Sequence, residues 1–277
     1  MRIEETIESG KTKNYVLEYV ICTYGLFVLL MLTLGGIVTV LLHGTPFVMR
    51  WLIAITAWTP TYVLLIMFKK LYPNRTVKDF YKKAFSSKLN IGLLMTTALI
   101  QILIYIASVF MVSVQKGVST MSLLDLSFPT VISALFFTLI QGALGEESGW
   151  RGYLQPAIEE KLGVVKGSLI VALIWSFWHA PIWFLGTGYS GAILVKYIIV
   201  FVICISSLGF IIGISYHHCK NLFVPIWIHF MLNFFGETFT GSSVDLITWF
   251  AVFYLITALG FLLWHKNNKK LKKEEYL

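Results

Sequence analysis

Long apolar runs separated by short polar segments dominate the chain. Each run is long enough, or nearly so, to cross a hydrocarbon core about 30 Å thick as an α-helix. The pattern therefore predicts an all-α, polytopic membrane helical bundle of about eight transmembrane helices. The predicted spans are residues 17–43, 48–68, 90–113, 128–148, 168–186, 191–216, 222–238 and 244–264.

The composition agrees with a membrane protein and excludes most soluble classes. Hydrophobic residues make up 57% of the chain, charged residues only 13%, and the mean hydropathy is +0.77. Soluble domains average about a quarter charged residues. The three cysteines form neither a disulfide framework nor a CxxC metal pair. The net charge of +8 comes without a soluble nucleic-acid-binding module, so we expect no nucleic-acid partner.

The positions of the basic residues predict an orientation. With the N-terminus inside, all but three of the 22 lysines and arginines lie in inner loops or tails. The exceptions are Arg50 and Lys116 outside and Lys196 within the sixth span. Because cytoplasmic segments carry excess positive charge, we predict cytoplasmic termini and a basic 69–88 loop that contacts anionic lipids. The expected location is the cell membrane, or an internal membrane such as the endoplasmic reticulum in a eukaryote.

Ionisable residues within spans are costly in lipid and are therefore functional candidates. The first group, EESGWR at residues 146–151, lies at the inner end of the fourth span. Arg151 follows Glu147 by four residues, so the two can pair on one helix face. Glu146 points about 100° away and remains the free carboxylate. Alternatively, two acids and an arginine merely end the helix at the membrane surface.

Two further polar groups lie on other spans. His179 follows an aromatic segment of the fifth span, and alone it could be a hydrogen-bonded core residue. His229 and Asn233 lie one turn apart on the seventh span, and alone they could form an interhelical hydrogen-bond pair. At 1.5 Å per residue, these three residues lie roughly 10 to 16 Å from the inner ends of their spans. They can meet Glu146 in the inner half of the bilayer, which packing alone explains poorly.

These motifs together resemble one known family. Glu-Glu-x-x-x-Arg, aromatic-x-x-x-His and His-x-x-x-Asn on successive helices resemble the CPBP (Abi) family of intramembrane proteases, which includes the type II CAAX prenyl endopeptidase and members linked to bacteriocin self-immunity. The resemblance covers residues 128–238, our predicted catalytic core within a single membrane domain of residues 1–277. Trp175 stands where the family usually has Phe. We expect this difference to change packing and leave the chemistry intact.

The resemblance implies an intramembrane endopeptidase in which Glu146 activates a water molecule. His179 would position that water or share its proton, while His229 and Asn233 would hold the oxyanion. The residues expected to support this site structurally are Glu147, Arg151 and Trp175.

The sequence leaves the cofactor open between two alternatives. We expect hydrolysis without a metal, because HExxH is absent and an amide is a poor zinc ligand. The alternative is a zinc ion held by His179, His229 and Glu146, with an open position for water.

Two other classes of function also remain open. A proton-coupled transporter would concentrate Glu and His within spans, although the two related halves of many transporters are not visible. A catalytically inactive scaffold or immunity factor is the other alternative. For a protease, the expected partner is a membrane-embedded or lipidated peptide or protein, of CAAX, pheromone or bacteriocin-related type.

Overall fold

The computed structural model describes residues 9–41 and 44–274. Within these ranges the chain is helical and forms no β-strand, as predicted, apart from an isolated bridge between Leu124 and Phe239. The α-helices are α1 Ser9–Gly36, α2 Pro46–Ala57, α3 Thr59–Ile66, α4 Phe68–Leu71, α5 Val77–Ala84, α6 Ile91–Lys116, α7 Phe128–Thr138, α8 Leu144–Gly149, α9 Gln155–Trp178, α10 Ala180–Leu185, α11 Gly191–Cys219, α12 Phe223–Glu237 and α13 Ser243–Glu274. The other helical turns are the π-helices Ile37–Leu41, Leu139–Ala143 and Trp150–Leu154 and the 3-10 helix Thr120–Leu123.

The long helices identify a multi-pass membrane protein. Within the described residues, six helical runs are long and apolar enough to cross a membrane. One of them, Phe128–Leu185, covers both the fourth and the fifth predicted spans. The predicted seventh span is the 15-residue helix α12. The prediction of about eight transmembrane helices therefore agrees in outline with the structure. Residues 42 and 43 of the first predicted span lie outside the described ranges. The cytoplasmic placement of the termini stays a prediction.

The helical segment that carries Glu146, Glu147 and Arg151, called the motif segment below, continues well past Arg151. Helices α7, α8 and α9 follow one another through two π-helical turns, which bracket the short helix α8. The direction changes at Gly163, where φ is +75° and glycine is favoured because it has no side chain. A π-helical turn interrupts the regular hydrogen-bond ladder and is frequent at functional sites.

Helix α11 is the centre of the bundle and packs against α9, α12 and α13. Small residues permit its close approach to α9. A Cβ atom added at Gly209 would lie 2.8 Å from the Cβ of Ala172. The opposing surface of α9 buries Trp175 and Trp178 almost completely. This contact positions the fifth predicted span against the core.

Backbone contacts define two ends of the bundle. At the 238–242 end, Asp125 N–H donates to the carbonyl of Thr238 and Thr240 N–H donates to that of Leu123. At the opposite 217–222 end, Leu222 N–H donates to the carbonyl of Ala84 at 2.8 Å. The first end corresponds to the predicted outer side and the second to the predicted inner side, which is rich in basic residues.

Candidate active site

Glu146, His179, His229 and Asn233 line one cavity of about 360 Å³. Apolar side chains of α1, α2, α10, α11 and α13 form most of the remaining wall. The cavity extends to Ser243 at the 238–242 end. On the opposite side of the candidate site, large side chains of the motif segment are fully buried. They are Trp150, Arg151 and Leu154.

Two indole groups hold the Glu146 carboxylate. Glu146 is only 3% exposed. Its Oε2 atom accepts hydrogen bonds from Trp175 Nε1 at 2.5 Å and from Trp150 Nε1 at 3.3 Å. Because both donors bind the same oxygen, Oε1 is the oxygen left for a ligand in the cavity. Trp175 is therefore a direct hydrogen-bond donor to the carboxylate, a role that a phenylalanine could not perform.

The adjacent carboxylate of Glu147 binds two partners in the core. Its Oε1 atom accepts from Arg151 Nη1 at 3.0 Å and lies 2.8 Å from His229 Nδ1. Both Glu147 and Arg151 are fully buried, so their pair lies inside the bundle and not at a membrane surface. Arg151 also donates to the carbonyl of Gly209 and lies 4.7 Å above the Trp175 ring. Glu147 thus connects the predicted ion pair to a candidate catalytic imidazole.

The bond to Glu147 sets the orientation of His229. With an ionised carboxylate as acceptor, His229 Nδ1 carries the proton and Nε2 faces the other way. The ring packs edge-on against Trp175, with 4.8 Å between centroids. Nε2 accepts a hydrogen bond when the ring is neutral and donates one when it is charged.

Gly142 marks the point where His229 and Asn233 converge. A Cβ atom added at Gly142 would lie 2.6 Å from Asn233 Nδ2 and 2.9 Å from His229 Nε2. These distances are too short for a carbon atom, so the absence of a side chain permits α12 to pack this closely. The two polar groups consequently lie beside each other on the cavity wall.

His179 caps the C-terminal end of α9 and is oriented by its own helix. Its Nδ1 lies 2.9 Å from the carbonyl oxygen of Trp175. Because a carbonyl only accepts hydrogen bonds, Nδ1 carries the proton, and Nε2 of the neutral ring is an acceptor. Aromatic rings surround the imidazole, with Trp178 at 4.8 Å and Phe201 at 5.2 Å between centroids.

The candidate zinc ligands Glu146, His179 and His229 are not grouped as a metal site in this structure. Among the described residues, no group of three or more His, Cys, Asp and Glu side chains is placed to hold a metal ion. Glu146 Oε2 is bound by two indoles, and His229 Nδ1 is bound by Glu147. Ligation by Glu146, His179 and His229 would require these side chains to move.

Sequence reasoning missed a stripe of glycines along the motif segment. Added Cβ atoms would lie 2.5 Å from the Trp58 ring at Gly145 and 2.8 Å from the Phe80 ring at Gly152, and would contact the Tyr19 hydroxyl at Gly149. The stripe lets α1, the α2–α3 turn and α5 pack directly on the segment that carries both glutamates. The spacing of Gly142, Gly145, Gly149 and Gly152 at three and four residues was the available signal.

A second missed feature is a charged cluster at the 238–242 end. Arg50 donates to Glu237 Oε2 at 2.8 Å and to Ser133 Oγ at 2.8 Å. Lys116 pairs with Asp245 at 2.8 Å. The sequence placed both bases on the outer side, but it contained no signal for which residues would pair with them.

The fold and the site define an integral membrane protein with a buried carboxylate and two imidazoles around one cavity. Residues 128–235 match the family model of the type II CAAX prenyl endopeptidase Rce1-like proteins. The chain is also 27% identical over 207 residues to the CAAX prenyl protease 2 of Methanococcus maripaludis, covering 72% of this chain and 76% of the relative. Both matches agree with the resemblance of this chain to the CPBP family of membrane proteases. The match includes the helices that carry all four candidate catalytic residues.

Proposed function

We propose that this protein is an intramembrane endopeptidase that hydrolyses a peptide bond with a water activated by Glu146. The observation that carries the proposal is the convergence of three separate spans. Glu146, His179 and the His229–Asn233 pair line the same cavity. A carboxylate, two imidazoles and an amide in an apolar cavity can supply a general base, a proton relay and oxyanion donors.

In the proposed mechanism, a water molecule binds between Glu146 Oε1 and the unprotonated Nε2 of His179. Glu146 takes a proton from the water as it attacks the carbonyl carbon of the substrate. The two indoles on Oε2 keep the carboxylate in one orientation during the transfer. The same proton then passes to the leaving amine, which completes hydrolysis and restores the carboxylate.

The developing oxyanion would be held by His229 and Asn233. Asn233 Nδ2 is a donor, and His229 Nε2 donates when the ring is positively charged. Glu147, 2.8 Å from His229 Nδ1, fixes the orientation of the ring. Their convergence beside Gly142 supports a joint role, because two donors aimed at one site stabilise an oxyanion best.

We further propose that the reaction requires no metal. The support is that the chain has no HExxH motif, that an amide is a poor zinc ligand, and that Glu146, His179 and His229 are not grouped closely enough to hold a metal ion. Active purified protein should contain less than stoichiometric zinc by elemental analysis and should retain its activity in a chelator. Activity that is lost to a chelator and restored by zinc would contradict the proposal.

We propose a substrate that is itself bound to the membrane. The relative's name describes a protease of CAAX prenyl proteins, and such proteins carry a lipid on a cysteine near their C-terminus. The mostly apolar cavity wall suits apolar residues around the scissile bond. Pheromone precursors and bacteriocin-related peptides are further candidate substrates, and the basic 69–88 loop would bind anionic lipids at the opposite end of the bundle.

The test compares membrane proteomes of cells that express the wild type, Glu146→Ala or Glu160→Ala. Glu160 is an exposed acid on α9, so its variant is a matched control. We expect a cleavage product that is lost with Glu146→Ala and kept with Glu160→Ala. If Glu146→Ala leaves every product unchanged while deletion of the gene still has a phenotype, an inactive scaffold or immunity factor is the better description.

A further inference from the structure

Arg50 is a firmly held cation at the open end of the cavity. Its guanidinium donates to Ser133 of α7 and to Glu237 of α12, and it lies 5.3 Å above the Phe137 ring. The Arg50 side chain is nevertheless 37% exposed. A guanidinium that is fixed by its neighbours and still accessible is well suited to bind a carboxylate.

Of the two bases paired at the 238–242 end, Arg50 is the one connected to the cavity. Its partner Glu237 lines the cavity together with Gln141, which donates to the Arg50 carbonyl at 2.9 Å. Lys116 pairs instead with Asp245, and neither residue lines the cavity. The Lys116–Asp245 pair is therefore a control for the Arg50–Glu237 pair.

The distance from the candidate oxyanion donors to Glu237 corresponds to a short peptide. Along α12, Glu237 lies four residues beyond Asn233 and eight beyond His229, which is about 6 to 12 Å at 1.5 Å per residue. An extended chain spans roughly 3.3 to 3.6 Å per residue, so this distance takes about two to three residues. The cavity wall is mostly apolar, with Leu232 and Leu246 among its side chains.

We propose that Arg50 binds the free C-terminal carboxylate of the substrate, two or three residues beyond the scissile bond. The inference rests on the proposed function, because it takes the scissile carbonyl to lie at His229 and Asn233. Glu237 is a competing carboxylate on the same guanidinium. A substrate carboxylate binds by displacing or sharing that contact, so Arg50 selects for chains that end near the cleavage site.

The test measures binding separately from cleavage. The probe is the tripeptide Val-Ile-Leu, as the free acid and as the C-terminal amide, added to detergent-solubilised Glu146→Gln protein. The readout is the dissociation constant from thermal stabilisation. We expect the acid to bind at least about tenfold more tightly than the amide, a difference of about 1.4 kcal/mol.

Variants of the two ion pairs then distinguish binding of the substrate carboxylate by Arg50 from a purely structural role of this residue. On the same background, Arg50→Gln should abolish the preference for the acid, whereas Glu237→Gln should increase it by removing the competitor. Lys116→Gln should leave the preference unchanged. Equal weakening of acid and amide binding by Arg50→Gln and Glu237→Gln would overturn the inference, as would equal affinities in the parent protein. Failure of the proposed function alone would appear as wild-type protein that cleaves no peptide, while the Glu146→Gln protein still prefers the acid.

Discussion

Glu146 and Glu147 are neighbours in the chain and belong to different regions of the molecule. Glu146 lines the cavity, where two indoles bind one of its oxygens. Glu147 is fully enclosed in the core and binds Arg151 and His229. Because adjacent residues on a helix point about 100° apart, one dipeptide can supply a carboxylate to each region. The comparison separates a carboxylate placed for chemistry from one that positions other groups.

The largest expected difference between the two glutamates is in stability. Glu147→Ala should lower the free energy of unfolding by about 3 to 5 kcal/mol, because it leaves the Arg151 guanidinium buried without its carboxylate. Glu146→Ala removes no buried cation's partner and should lower stability far less. Thermal unfolding of both purified variants in detergent measures the difference.

A double variant provides the control for that prediction. Glu147→Ala with Arg151→Ala should cost less than the sum of the two single changes, because the second change removes a charge already left unpaired. A Glu147→Ala variant that is inactive, as stable as the wild type and uncoupled to Arg151 would contradict this comparison. Glu147 would then be a catalytic residue like Glu146.

The next largest effect should come from Gly142, where the cavity wall meets the donors of α12. Gly142→Ala would push His229 and Asn233 away, and a displacement of about 1 Å can cost roughly a hundredfold in rate. Gly25→Ala is the matched control, because an added Cβ there meets nothing within 4 Å. Comparable turnover of the two variants in a cleavage assay would show that close packing at Gly142 is unimportant.

The smallest predicted effect concerns the indole bound to Glu146. Trp175→Phe removes a hydrogen bond to a charged group worth about 1.5 kcal/mol or more, so kcat should fall about tenfold with little change in KM. Trp178→Phe is the control on the same helix, since its Nε1 has no hydrogen-bond partner among the described residues. If both variants lose the same activity, Trp175 acts through packing, as the sequence alone suggested.

The sequence predicted the helical membrane fold and the grouping of the polar residues for clear physical reasons. Apolar runs and the cost of ionisable groups in lipid are local properties of the chain. The spacing of four between Glu147 and Arg151 likewise identifies neighbours on one helix. The pairing found in the fold follows from that local geometry.

The contacts between distant segments could not be predicted in the same way. His229 meets Glu147 across 82 positions, and Arg50 meets Glu237 across 187. These contacts depend on how helices pack, which local spacing does not determine. The hydrogen bond from Trp175 to Glu146 illustrates the point, because residue type alone suggested only altered packing there.

The rate of Glu146→Gln tests the central proposal most directly. The substitution keeps the size and the indole contacts of the side chain but removes its ability to act as a base. With a cleaved peptide identified from the proteome comparison, we expect kcat of the purified variant to fall by about 10² to 10⁴, with unfolding near that of the wild type. Turnover within about threefold of the wild type would contradict a glutamate-activated water.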